Sequence, residues 1–243
     1  MKKIVILFCF LGLFLTKSKA QNEIRFGFQF SPTLGWMNTD DKRVNNNGSL
    51  ILGAKLGVIG EYYFRENYSL SSGIGFAFNH SGRLKYQDRG GYWPNSDLSR
   101  PGLDTLDAGV TLKYNLRYVE IPFSLKLRSG YFGAIRGYAE IPMLYLGIRS
   151  QARGSISGNS IDTEKENINS DVAFFNLSWG LGGGVEYEVG SKTSLVGGLY
   201  YQQGFTDVTK DDGFTIDSTT GNVSAENSKA VVHAFIIRLG VMF

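Results

Sequence analysis

The chain has 243 residues, 25 Lys plus Arg against 22 Asp plus Glu, 31 glycines and 14% aromatic residues. A net charge of +3 without a basic block leaves no footprint for nucleic acid, and the single cysteine, Cys9, supplies neither a disulfide framework nor a cysteine-ligated metal site. After residue 20 no apolar stretch is long enough to cross a membrane as a helix, whereas the glycine and aromatic enrichment suits strands set between lipid and a crowded lumen.

In chain order, the first expected element is a secretory signal over residues 1–20. Lys2 and Lys3 precede an apolar run from Ile4 to Leu15, and Ser18-Lys19-Ala20 places small residues just before Gln21. Cys9 lies inside that run, so it is not placed as a lipid-bearing cysteine at a cleavage site. Residues 21–243 are then expected to form one outer-membrane β-barrel domain.

Alternation of period two predicts eight strands, over Glu23–Met37, Leu50–Phe64, Tyr68–His80, Thr111–Arg128, Tyr131–Arg149, Asp171–Val189, Thr193–Thr206 and Lys229–Phe243. The connections alternate in length. Asn38–Ser49, Ser81–Val110, Ser150–Ser170 and Asp207–Ser228 are long and polar, while Arg65–Asn67, Ser129–Gly130 and Gly190–Lys192 are tight turns. A soluble sandwich has no reason to sort its loops onto two rims, but a barrel in the outer membrane does so, with short turns and both termini periplasmic and long loops outside the cell.

Within the strands, charge is confined to one side. Val119, Ile121, Phe123, Leu125 and Leu127 share a face opposite Tyr118, Glu120, Pro122, Ser124, Lys126 and Arg128. Ala139, Ile141, Met143 and Tyr145 are expected to oppose Arg136, Tyr138 and Glu140. A charge facing hydrocarbon at mid-membrane costs roughly 2–4 kcal/mol, so the polar side is the lumen. Open edges in lipid would leave backbone groups unpaired, so the sheet must close into an eight-stranded antiparallel barrel. Such a barrel is only wide enough for its own side chains. Arg25, Lys55, Lys126, Arg128, Arg136 and Arg238 are therefore expected to pair with Glu61, Glu120, Glu140, Glu186 and Glu188 as an ion-pair plug.

Aromatic residues gather at both ends of the strands: Tyr62, Tyr63, Phe64, Tyr68, Tyr131, Phe132 and Phe243 beside the short turns, and Trp36, Phe78, Tyr114, Tyr201 and Phe205 toward the loops. The last strand carries Phe235, Ile237, Leu239, Val241 and Phe243 on one face, an expected insertion signal for the barrel-assembly machinery.

Tyr118-Val119-Glu120-Ile121-Pro122 followed by Lys126 resembles the Y-x-E-I-P-x-x-x-K strand of the small PorT-like outer-membrane β-barrel family of Bacteroidota. The similarity extends to Phe26–Gly35, Leu56–Phe64, Tyr68–Phe78, Gly180–Tyr187, Leu199–Val208 and the closing strand. It implies an eight-stranded barrel in the outer membrane of a diderm bacterium. About activity it implies little, although the founding member is tied to protein secretion and gliding.

No catalytic constellation, metal site or cofactor is expected. His233 near the loop end of the last strand invites comparison with barrel enzymes that trim lipid A, but no serine and carboxylate are aimed at it, so a membrane-interface histidine is the reading adopted. His80, at a strand-to-loop junction, is expected to be solvated. Gly180–Gly184 lies within a strand and has no following lysine, unlike a phosphate loop, and Asp207, Asp211, Asp212 and Asp217 lack EF-hand spacing. Arg89, Tyr92, Trp93 and Arg100 form the candidate recognition surface in the second long loop. Expected partners are outer-membrane lipids, lipopolysaccharide and an extracellular or secretion partner. Three uses remain open: a non-enzymatic barrel acting through its loops, an accessory to secretion, and a lipid-modifying enzyme.

Overall fold

The computed structural model describes residues 23–46, 48–190 and 192–243, so the expected signal at residues 1–20 lies outside them. In chain order the strands begin with β1 (Glu23–Thr39), β2 (Val44–Asn45), β3 (Ile51–Arg65), β4 (Tyr68–Phe78), β5 (Gly82–Tyr86) and β6 (Arg89–Gly91). They continue with β7 (Thr111–Phe132), β8 (Ile135–Gly158) and β9 (Ile161–Asn167), then a 3-10 turn at Asn169–Asp171. The last are β10 (Phe175–Glu188), β11 (Ser194–Gly204), β12 (Phe214–Ile216), β13 (Val223–Ala225) and β14 (Ala230–Met242).

Eight of these strands close into a ring in the hydrogen-bonded order β7-β4-β3-β1-β14-β11-β10-β8, and β8 returns to β7. Every neighbouring pair is antiparallel. At the seam between first and last strands Phe28 stands opposite Val241, and Phe26 and Phe243 exchange backbone hydrogen bonds of 3.2 and 2.7 Å. The predicted alternation sets which side chain faces out: Phe28 is 64% exposed on the outer wall and Glu61 only 3% in the lumen.

Four details differ from the sequence expectation. The turn between β7 and β8 lies at Gly133-Ala134, not Ser129–Gly130, because Gly133 takes the left-handed conformation (φ 64°) that a tight turn needs. Second, Met143 and Tyr145 point into the lumen. Ile141 and Pro142 together oppose the single residues Leu125 on β7 and Leu181 on β10, a bulge that reverses the facing of β8 until a second register shift at Ser150 restores it for Ala152 and Ile156. Third, the sixth strand begins at Phe175 and not Asp171, which belongs to the 3-10 turn. Fourth, the long connections are not plain loops. β8 runs on to Gly158 and hairpins into β9, β5 extends the sheet beside β7, and β6, β12 and β13 form a second small sheet.

These extensions make a cap over the long-loop end, and its chemistry inverts that of the barrel. Along β7 the inward residues Glu120, Ser124 and Lys126 are polar, but beyond Tyr118 the inward residues become Leu116, Tyr114 and Leu112 while Arg117, Asn115 and Lys113 turn outward. Lipid explains the first pattern and water the second, so the switch near Tyr118 marks the membrane boundary. Leu84, Leu106, Val110, Ile156, Ile168 and Val208 join the same apolar core. Two expected girdle residues face inward: Tyr63 lies in the lumen and Tyr114 in the cap core.

Candidate functional site

The inward charges meet across the lumen. Lys126 Nζ stands 2.6 Å from Glu61 Oε1 and also contacts Glu186. Glu186 further accepts Arg25 at 3.3 Å and Arg128 at 3.5 Å. Arg238 donates to Glu140 at 2.6 Å and to the Tyr200 hydroxyl at 2.9 Å. Nearer the cap, Lys55 donates to Glu120 and to Gln202 Oε1, each at 2.6 Å.

Neutral groups complete this network. Ser124 and Tyr200 both donate to Glu140 at 2.9 Å, Tyr63 donates to Glu61, and Gln202 donates to Ser178 at 2.6 Å. Aromatic faces supply the rest, with Lys126 4.4 Å from the Tyr138 ring and the Arg238 guanidinium 4.0 Å from Tyr200. Burial of these charges is tolerable only because each has a partner. Gly182 is required in this layer, since a Cβ there would enter the Tyr200 ring.

Two residues expected in the network stand outside it. Glu188 is exposed at the short-turn mouth and accepts the Tyr131 hydroxyl. Arg136 is buried but forms no ion pair among the described residues, and its guanidinium lies 3.9 Å from the Tyr131 ring. Conversely, Tyr145, Tyr200, Gln202 and Ser178 belong to the network without being among the expected ion-pair residues, and Tyr138 joins it from the face it shares with Arg136 and Glu140. Strand parity alone places Tyr138, Tyr200 and Gln202 with the inward charges; the bulge at Ile141-Pro142 conceals Tyr145.

In the cap, Tyr92 and Trp93 are core residues and not a recognition surface. Trp93 donates through Nε1 to the Tyr114 hydroxyl at 3.2 Å and packs over Gly154, while Tyr92 packs at a tilt against Tyr86 with centroids 3.8 Å apart. Arg89 and Arg100 stay exposed, the first 3.7 Å from Asp107 and the second donating to the Asp162 carbonyl at 2.8 Å. Three acidic loop residues brace the cap: Asp207 accepts the amides of Thr209 and Ala230, Asp212 accepts the Asn95 side-chain amide from another loop, and Asp217 accepts the amides of Thr219 and Thr220 in its own turn. Glu226 differs. Burial, with Asp211 and Asp207 nearby, lifts its carboxyl to about 7 against the opposing donation from Ser228.

The histidines also depart from expectation. His80 is 2% exposed, edge-on to Tyr118, and neither ring nitrogen has a hydrogen-bond partner. The backbone after β4 turns it inward, where its amide donates to the Leu116 carbonyl at 3.0 Å. His233 shares the outward parity of Phe235 but is covered, stacked 5.4 Å from Trp36 and 3.0 Å from the Tyr201 hydroxyl. The outward stripe of Phe235, Ile237, Leu239, Val241 and Phe243 lies on the outer wall beside β1.

A closed ring of eight antiparallel strands with an apolar outer band and a charged interior defines an integral outer-membrane β-barrel protein. Residues 18–210 match the family described as outer membrane protein beta-barrel domain, and the chain belongs to that family. No curated protein matches. Among solved structures it is similar to Ail, the attachment invasion locus protein of Yersinia pestis, at 11% identity over 91% of this chain and 99% of that one, with a TM-score of 0.39. OprG of Pseudomonas aeruginosa matches at 12% identity over 91% and 97%, TM-score 0.37. The outer membrane protease OmpT of Escherichia coli matches at 8% identity over 94% and 99%, TM-score 0.39.

Proposed function

We propose that this protein is a non-enzymatic outer-membrane barrel with a plugged lumen, acting through its long-loop face in envelope maintenance or partner binding. The observation that carries this reading is the run of buried ion pairs from Arg25–Glu186 through Lys126–Glu61 and Arg238–Glu140 to Lys55–Glu120, overlaid by the apolar cap core. An ion entering from the long-loop side would meet packed side chains and then paired charges. In this reading the short turns and both termini are periplasmic and the cap is extracellular.

Lipopolysaccharide is the partner that the outer face of the cap fits best. Arg83 on β5 stands directly opposite Lys113 on β7, and Arg117 and Arg153 point outward nearby, just beyond the apolar band. Like charges placed opposite each other across two strands repel, and a phosphate from the outer leaflet would relieve them. The residues that carry the PorT-like resemblance, Glu120 and Lys126, are consumed in the lumen network, so the resemblance bears on barrel construction more than on secretion. The test is lipopolysaccharide retained per barrel after mild extraction from outer membranes. Arg83→Glu with Lys113→Glu is expected to lower it by about fivefold. Equal retention would refute the lipid-binding face, and a changed secretome in a deletion strain with unchanged lipid retention would favour the secretion role.

A further inference from the structure

The short-turn mouth of the lumen holds an arginine that the network leaves over. Arg136 is 4% exposed, its Nε has no hydrogen-bond partner, and no carboxylate pairs with it among the described residues. Its guanidinium sits over the Tyr131 ring and lines a mouth cavity of about 840 Å³ together with Tyr63, Arg65, Arg128 and Lys192. A smaller adjoining pocket of about 110 Å³ is walled by Arg25, Thr193 and Ser194.

Charge in this mouth is unbalanced. The two cavities are lined by five cations, Arg25, Arg65, Arg128, Arg136 and Lys192, and by three carboxylates, Glu23, Glu66 and Glu188. Glu188 is engaged by the Tyr131 hydroxyl, and one deeper carboxylate, Glu186, serves Lys126, Arg25 and Arg128 at once. Arg128 also has an unpartnered buried Nε. A buried guanidinium without a counter-ion is costly, and its planar fork matches two oxygens of one carboxylate or phosphate.

We propose that this mouth is a binding site for a carboxylate or phosphate group, with Arg136 as its anchoring residue and Arg128, Arg65 and Lys192 around it. The proposal goes beyond the function given above and concerns the opposite end of the molecule. Its exposure to the periplasm rests on the orientation proposed there; the site itself is defined on the purified protein.

The full barrel in phosphatidylcholine nanodiscs would be titrated with inorganic phosphate and with citrate, using calorimetry and the 15N resonance of the Arg136 Nε. Saturable binding with a shift of that resonance is expected, weakened about tenfold in Arg136→Gln and partly restored in Arg136→Lys. Lys165→Gln in the cap should bind like the parent. No saturable binding in the parent, or parental affinity in folded Arg136→Gln, would overturn the proposal. Should Arg136→Gln lose the heat-modifiable gel shift of a folded barrel, the exposed pair Arg65→Gln with Lys192→Gln decides: weaker binding supports the site and unchanged binding overturns it. Repeating the titration with phosphatidylglycerol in the nanodisc separates sources. Competition supports the anion site with a lipid headgroup as its occupant, and undiminished phosphate binding supports it with a soluble anion.

Discussion

Lys55 and Glu120 show what an inward charge demands of a narrow lumen. They stand 2.6 Å apart, and Gln202 takes a further hydrogen of the ammonium group. Glu120→Ala leaves that ammonium buried without its counter-charge, a loss of about 3–5 kcal/mol, smaller if water enters. Heat-modified gel mobility should show a lower unfolding temperature for Glu120→Ala than for Glu164→Ala, which lies exposed on β9. Glu226 gives a pH prediction of opposite character. Its folded-state value of about 7 lies above the ordinary 4.5, so the folded cap binds more protons than the unfolded one between these values and its stability falls as pH rises through that window. Hydrogen exchange of residues 223–228 should speed up from pH 5 to pH 8 beyond the intrinsic chemistry, and Glu226→Gln should flatten that excess. At this scale the sequence was informative about side, since parity places Lys55, Glu61, Glu120 and Lys126 inward. It was silent about pairing, because Arg136 and Arg128 have the same inward parity and only the three-dimensional packing leaves one without a carboxylate.

β7 carries both patterns of the molecule in one strand. From Tyr118 to Arg128 its lipid side is apolar and its lumen side polar; from Thr111 to Arg117 these reverse. The reversal is legible in the sequence as Leu112, Tyr114 and Leu116 alternating with Lys113, Asn115 and Arg117, yet a reading that assigns everything beyond the strands to polar loops passes over it. Tyr92 and Trp93 were misplaced for the same reason: an aromatic in a loop looks available until the loop has its own core. The bulge at Ile141-Pro142 has no periodic signature of its own, since Ala139, Ile141, Met143 and Tyr145 form an unbroken apolar alternation. β14 was easier, because Phe235, Ile237, Leu239 and Val241 keep one facing throughout. Deleting Phe243 removes the backbone exchange with Phe26 at the seam, so it should lower the membrane-inserted fraction and its heat-modifiable gel shift. Unchanged yield and shift would show that the ending carries no insertion signal. Epitopes at Gly158-Asn159 or Gly221-Asn222, which are exposed tight turns, should be labelled on intact cells, and one at Gly133-Ala134 should not. Gly90-Gly91 is unsuitable, being buried and paired with β12.

As a whole molecule the chain is a ring of eight strands with buried ion pairs in its lumen and an apolar core over its long-loop end, which the proposed reading takes as a plug. The ring itself was readable from strand count, loop sorting and one-sided charge, because lipid imposes simple rules on the outer wall. The cap follows ordinary aqueous packing, in which short strands such as β6, β12 and β13 are fixed by partners far away in sequence. Ion pairs that cross the lumen join strands far apart in the chain, so the plug and the ring should unfold together. The central claim is that this interior does not conduct. Purified protein reconstituted in planar bilayers is expected to show no steady ohmic conductance, and Glu120→Ala with Lys55→Ala, which removes one ion pair as a unit, should add at most brief openings. A stable ohmic channel in the parent protein would contradict the account, because it would mean that water and ions thread between Lys55, Glu120, Arg238 and Glu140 despite their pairing.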